Sequence, residues 1–283
     1  MYKSLFERIK NYSSNPVNEF KKINSFINNT EIDYMIKLST LLEDAFVYCK
    51  DLRRIYPDYK DCIWQNCSSL FKYDVLPNDS YNSLIGEDTK ELLLNEFLTY
   101  CQIVLTMVNY IINKQSEILS KHFITSLNAE IINQLVEMIE SSLKCFNYKH
   151  YIKKDFLNVE LAMDNPVAEA IAAESKIDIS DAIMGYLSNR DVKTKENYLH
   201  TFIDLIEPLF KTYSDQAIIK KIREYSQLIR HPEVKKDDPQ YKWFFVNKKK
   251  HLDNLFSLCL FVQQYSISKN IIKEFEDNKN YNK

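Results

Sequence analysis

The span Ile219–His251, IKKIREYSQLIRHPEVKKDDPQYKWFFVNKKKH, gathers two arginines, two histidines, a lysine run and a tryptophan. Its first part has helical spacing. Residues seven apart on a helix lie only about 20° apart around the axis, so Arg223 and Arg230 share one face with Gln227 between them. Pro232 stops the helix and leaves His231 at its C-terminal end. The negative end of the helix dipole favours a protonated imidazole there. Arginine and histidine at such an end form a workable set for phosphodiester cleavage. The histidine moves the hydroxyl or leaving-group proton, and the arginines stabilise the crowded phosphate oxygens. Arg223, Arg230 and His231 are therefore the candidate catalytic residues. Lys248, Lys249, Lys250 and His251 add positive charge, and Trp243, with Tyr241, can stack on a base. Together with Gln227 they are the candidate contacts to RNA or to a partner. Asp237 and Asp238 interrupt the basic loop. The competing reading is a charged helix end, where cations suit the dipole, and a solvated lysine run, with Trp243–Val246 anchoring the loop on the core.

Other chemistries are poorly served. With only two glycines, Gly86 and Gly185, no phosphate-binding glycine loop can be written. The same scarcity disfavours folds rich in tight β-turns. The acidic positions Glu169, Glu174, Asp178, Asp181, Asp204 and Glu207 include no Glu-x-x-His, the pattern of a dimetal bundle. No metal and no cofactor is expected. His122, His150 and His200 read as packed or surface histidines. The six cysteines form no CxxC and read as buried thiols of a reducing compartment. A net charge of −2 is unlike a protein that coats nucleic acid. The N-terminal residues carry no apolar core segment of a signal peptide. The runs Ile103–Ile112 and Leu255–Val262 fall short of the ~20 residues of a membrane span. A cytoplasmic protein with no membrane association is expected.

The elements that must position these residues read as helices. The fold class is all-α, a multi-helix bundle or irregular helical array. Segments are expected over Tyr2–Asn11, Pro16–Ile27 with Asn15 as cap, Thr30–Ile55, and Asp58–Tyr73. A loop follows at Asp74–Asp88, then one long central helix over about 89–123. Ser126–Tyr148 is a further helix, and His150–Met163 a bridging segment. Asp164–Asn165–Pro166 is a stop-and-start signal in which Asn165 caps and Pro166 opens a helix. It divides the chain into 1–163 and 164–283, one continuous array being the alternative. Two short helices split near Lys176–Asp178. Lys193–Tyr213 is a helix that Pro208 kinks or ends early. Gln216–Arg230 is capped by Ser214 or Asp215, and a last helix runs from about Asn247 to Phe275 with a frayed tail.

An arginine- and histidine-bearing helix followed by another long helix, over about Asp178–Gln264, resembles the HEPN superfamily. Its members include RNases of abortive-infection and toxin–antitoxin systems. Their motif is an arginine, a polar residue, then a histidine, with four to six residues between the arginine and the histidine. Here seven residues separate Arg223 from His231, Arg230 adjoins His231, and Glu224 follows Arg223. The resemblance implies a homodimer with composite sites and metal-independent RNA cleavage, or a member that no longer cleaves. Since no motif is complete, the first expectation is a helical protein-interaction factor in a defence or toxin–immunity setting. Its partner would be another protein or a second copy of itself. A HEPN-like RNase is the alternative.

Overall fold

The structure, a computed structural model, describes residues 15–33, 36–75, 85–122, 128–152, 157–213, 215–232, 237–239 and 241–281. The expected helix Tyr2–Asn11, Ser214, most of the loop Asp74–Asp88 and the middle of the charged loop before Pro239 lie outside them. The chain divides into two compact units, Met1–Leu161 and Ala162–Lys283. Both are built of helices.

In the first unit, α1 (Pro16–Asn29) opens on Pro16, and the Asn15 side chain accepts from the Val17 N–H. That bond satisfies one of the donors a helix start leaves bare. The expected helix from Thr30 to Ile55 is instead broken three ways. β1 (Glu31–Asp33) pairs antiparallel with β2 (Ile36–Lys37), and α2 (Leu38–Phe46) and α3 (Lys50–Arg53) follow. The β-branched Thr30, Ile32 and Ile36 suit extended backbone better than helix, and the Leu38 N–H closes the turn on the Thr30 carbonyl at 2.9 Å. α4 (Tyr59–Tyr73) is kinked at Cys67, whose φ of −135° is not helical. The Glu96 carboxylate accepts the Leu70 N–H at 3.0 Å beside this break.

The long helix α5 (Glu87–Asn113) is the centre of this unit. It ends earlier than its apolar run predicts, because Lys114 leaves helical geometry and a separate α6 (Gln115–Ser120) follows. By length and composition α5 could cross a membrane, but most of its apolar window is buried, as in a core helix. Phe97, Leu98, Tyr100, Val104 and Met107 point to different sides of the helix and are all shielded. Burying each such side chain is worth about 1.5–3 kcal/mol. α1, α2, α4 and α7 (Ala129–Cys145) pack around it. Asn128 caps α7, and Asn147 ends it in the left-handed region at φ 59°. Asparagine tolerates that region better than most residues. The bridging segment contains β3 (Tyr148–Ile152) and β4 (Val159–Met163), which pair. The first unit ends within β4.

The second unit begins with α8 (Pro166–Ala173), where Asn165 Oδ1 accepts the Ala168 N–H at 3.0 Å. α9 (Ile177–Ser188) and α10 (Val192–Ile206) follow. At Pro208 the chain tightens into a 3-10 turn, Glu207–Lys211, as the missing proline N–H requires. Asp215 caps α11 (Gln216–Arg230), accepting from the Ala217 and Ile218 N–H groups. The short α12 (Lys242–Val246) leads to α13 (Lys248–Tyr281), which continues past Phe275. The core centres on Tyr186 and Phe256, stacked with centroids 4.1 Å apart, with Phe202 beside them. No disulfide joins the six cysteines. Five are buried and Cys145 is exposed, since it faces outward at the end of α7.

Candidate functional site

α11 places Arg223 and Gln227, four residues apart and so on one face, on its exposed side. The Arg223 guanidinium lies 5.7 Å from the centre of the Phe210 ring, a cation–π contact. His231 is exposed and its backbone N–H closes the helix on the Gln227 carbonyl at 3.1 Å.

Arg230 has different company. Its Nε donates to His200 Nε2 at 2.7 Å, and its terminal nitrogen donates to Asp204. His200 Nδ1 sits 3.1 Å from the other Asp204 oxygen. The ring nitrogen that accepts from arginine carries no proton, so Nδ1–H is the donor to Asp204. The three side chains form a closed ring between α10 and α11. The His200 lone pair and the Arg230 fork are both used within it. Of the expected set, then, Arg230 is committed to α10, while Arg223 and His231 have separate surroundings.

The basic and aromatic contacts are also divided. Lys248 pairs with Glu196 at 2.5 Å, and Lys250 is exposed. Trp243 meets His251 edge-on at 4.6 Å between centroids and touches Tyr225 and Phe244. His251 also stacks on Phe244 at 5.5 Å. Burial in this cluster, reinforced by Lys250 next door, pushes the imidazole below its ordinary pKa of 6.5. This weakens the contribution of His251 to the positive charge expected of the segment. Lys249 lies close enough to Lys195 to disfavour its charge.

Lys195 is the group that sequence reasoning passed over. It is 1% exposed. Its ammonium donates to Met163 Sδ at 3.1 Å and to Asp253 Oδ1 at 3.4 Å, and lies 4.5 Å from the centre of the Tyr186 ring. The Tyr186 hydroxyl donates to the same Asp253 oxygen at 2.7 Å. Burial holds Lys195 below its ordinary pKa despite the pull of Asp253, and pushes Tyr186 up. A lysine shifted this way has the chemistry of a base or nucleophile, but its nitrogen is enclosed by protein groups. Here it works as a partly buried ion pair joining α10 to α13. The signal was present in the sequence: Lys195, Leu199, Phe202 and Ile206 fall on one helical face, the one that is buried.

The Arg230 ring allows a direct check. Its members are about one-third to one-half exposed, so Arg230→Ala and Asp204→Ala should each cost about 1 kcal/mol or less. In chemical denaturation the double variant should lose little more than the worse single one, because both remove the same bond. Strict additivity would mean the ring carries no coupling energy.

Among the described residues no group of three or more His, Cys, Asp or Glu side chains is placed to hold a metal ion. Compared with protein-family models, with curated proteins and with solved structures, the chain finds no match.

Proposed function

We propose that this protein works by binding protein, through an apolar face of α13 that runs from Phe261 to Phe275. The supporting observation is that Phe261, Ile272 and Phe275 are 61%, 58% and 70% exposed on one helix. With Ser268 they fall within a sector of about 60° around the axis, and Ile271 lies about 40° outside it. Leu252, Leu255, Phe256 and Cys259, earlier on the same helix, are buried in the core of the second unit. α13 is thus both an internal support and a bare apolar stripe. Large contiguous apolar patches on soluble proteins mark interaction sites.

The partner we assign first is a second copy of the chain. A stripe confined to one helix is self-complementary across a two-fold axis, where the same side chains bury one another. The setting we propose, phage defence or a toxin–immunity pair, rests on the resemblance of Asp178–Gln264 to HEPN proteins. The ribonuclease alternative has less support, since Arg230 is tied to Asp204 and His200.

Light scattering tests the assignment. The wild type is expected to dimerise at high micromolar concentration. Ile272→Asp with Phe275→Asp should weaken that association at least ~tenfold, or ~1.4 kcal/mol, without loss of helical signal. A wild type that stays monomeric throughout would sink the homotypic reading.

A further inference from the structure

The first unit holds an open cavity of about 310 Å³ between α1, α2, α4 and α5, which lies within the range of small-molecule sites. One wall is aromatic. Trp64 is 59% exposed, unusual for the largest side chain, and its ring lies 5.5 Å from that of Phe71 at a tilt of 35°. Both belong to α4, on either side of the kink at Cys67. Behind them Phe20 meets Phe71 and Tyr100 edge-on at 4.9 and 4.8 Å, which fixes the floor.

Another part of the lining is α1, which supplies Asn24 and Asn28 one turn apart. Asn24 Oδ1 accepts from the Tyr100 hydroxyl at 3.3 Å and from Asn28 Nδ2 at 3.1 Å. Asn28 Nδ2 also donates to the Asn24 carbonyl at 2.9 Å. These bonds use up the acceptor of Asn24 and much of the donor capacity of Asn28. What remains is the Asn24 amide N–H pair and, on the neighbouring amide, the Asn28 side-chain carbonyl oxygen, neither with a partner among the described residues. The two amides are held in register by each other and by a buried phenol. At the mouth, Lys60 pairs with Glu43 at 3.1 Å.

We propose that this cavity binds a nucleobase, its ring against Trp64 and its hydrogen-bonding edge on Asn24 and Asn28. Two observations carry the assignment together. A flat aromatic face left open to solvent suits a flat ligand, and every base offers a π face. A donor next to an acceptor matches the edges of bases, such as N7 beside the amino group of adenine or O4 beside N3–H of uracil. A purely apolar ligand would leave both amides unpaired, at a cost in affinity. At the mouth Glu43 can accept from ribose hydroxyls, and Lys60 can turn to a phosphate. The base can come from a free nucleotide or from a single strand, since both present the same ring and edge. This site lies in the first unit and is independent of the docking stripe on α13.

Fluorescence reads the site directly, because Trp64 and Trp243 are the two tryptophans of the chain. In a Trp243→Phe background, AMP or UMP should quench Trp64 emission saturably, while ribose 5-phosphate should not. Asn28→Leu, at an exposed helix position, should weaken binding roughly tenfold. Trp64→Leu, followed by calorimetry, should weaken it at least as much, with circular dichroism confirming that each variant is folded. An oligonucleotide that binds more tightly than the nucleotide of the same base assigns a strand as the source; equal affinity assigns the free nucleotide. If neither nucleotides nor oligonucleotides bind, or if folded Trp64→Leu and Asn28→Leu bind like the wild type, the assignment is overturned.

Discussion

Replacing Asp253 with alanine should cost the protein about 3 kcal/mol at neutral pH, a large part of the stability of an ordinary domain. Lys195 is enclosed, and Asp253 is its one ion-pair partner among the described residues. Removing the carboxylate leaves a buried ammonium with only a thioether and a ring face, and deprives the Tyr186 hydroxyl of its acceptor. Asp253 itself is partly open to water, which is why the expectation is not larger. The loss belongs to the stranded charge more than to the lost bond. Lys195→Met, of similar length and no charge, should therefore be close to neutral alone and should restore most of the stability in the Asp253→Ala background. A double variant as unstable as Asp253→Ala would show that the aspartate acts through something other than Lys195.

The pH dependence has a definite sign. The folded pKa of Lys195 lies below its ordinary 10.5. Between those two values the unfolded chain binds a proton that the folded chain has released. Stability from this group therefore rises with pH across that window, and its penalty is complete below the folded pKa. The buried thiols act oppositely: Cys62, pushed up to about 12 mainly by burial, keeps its proton in the folded state, so its contribution falls as pH rises above 9. The comparison of wild type with Lys195→Met isolates the lysine. The wild type should gain relative to the variant as pH rises toward 10.5. The Asp253→Ala deficit should shrink at lower pH, below the wild-type folded pKa, where the ammonium stranded by the substitution gives up its proton first. Parallel curves for wild type and Lys195→Met in guanidinium titrations would contradict this.

Gly185→Ala should destabilise by about 1–3 kcal/mol, although alanine is the better helix former by ~1 kcal/mol. Gly185 lies inside α9, where glycine has no conformational purpose. Its reason is steric. A Cβ at 185 would fall within the Tyr198 ring of α10, against three ring carbons rather than the tip of a flexible chain. The two helices approach closely because position 185 has no side chain. The sign should reverse when the obstacle is removed. In a Tyr198→Ala background, Gly185→Ala should stabilise by ~0.5–1 kcal/mol, the propensity gain alone. A penalty that persists without Tyr198 would rule out the close approach as the cause. Thermal unfolding of the four proteins decides it.

The local signals in the sequence carried well. Asn15–Pro16, Asn165–Pro166, Pro208 and Asp215 each set a helix boundary because capping and the missing proline N–H act within a few residues. Scarce glycine and helical periodicity determined the all-α class. The β1–β2 pair and the break at Lys114 were not legible, because apolar spacing alone does not distinguish a continuous helix from one interrupted at a single residue. Inward position was also readable: Lys195 shares the buried face of α10 with Leu199, Phe202 and Ile206. What a side chain meets there was not.

That distinction decides the candidate site. The sequence determined that Arg223, Gln227 and Arg230 share a face and that His231 ends their helix, since both follow from 3.6 residues per turn. Only the tertiary structure decided that Arg230 turns to His200 and Asp204, thirty and twenty-six positions earlier, and that His251 is wrapped by Trp243 and Phe244. The same holds for Asn24, Asn28 and Trp64 lining one cavity. Helix periodicity fixes direction around one axis. Partners depend on how separate axes pack, and that is set by the summed burial of many side chains.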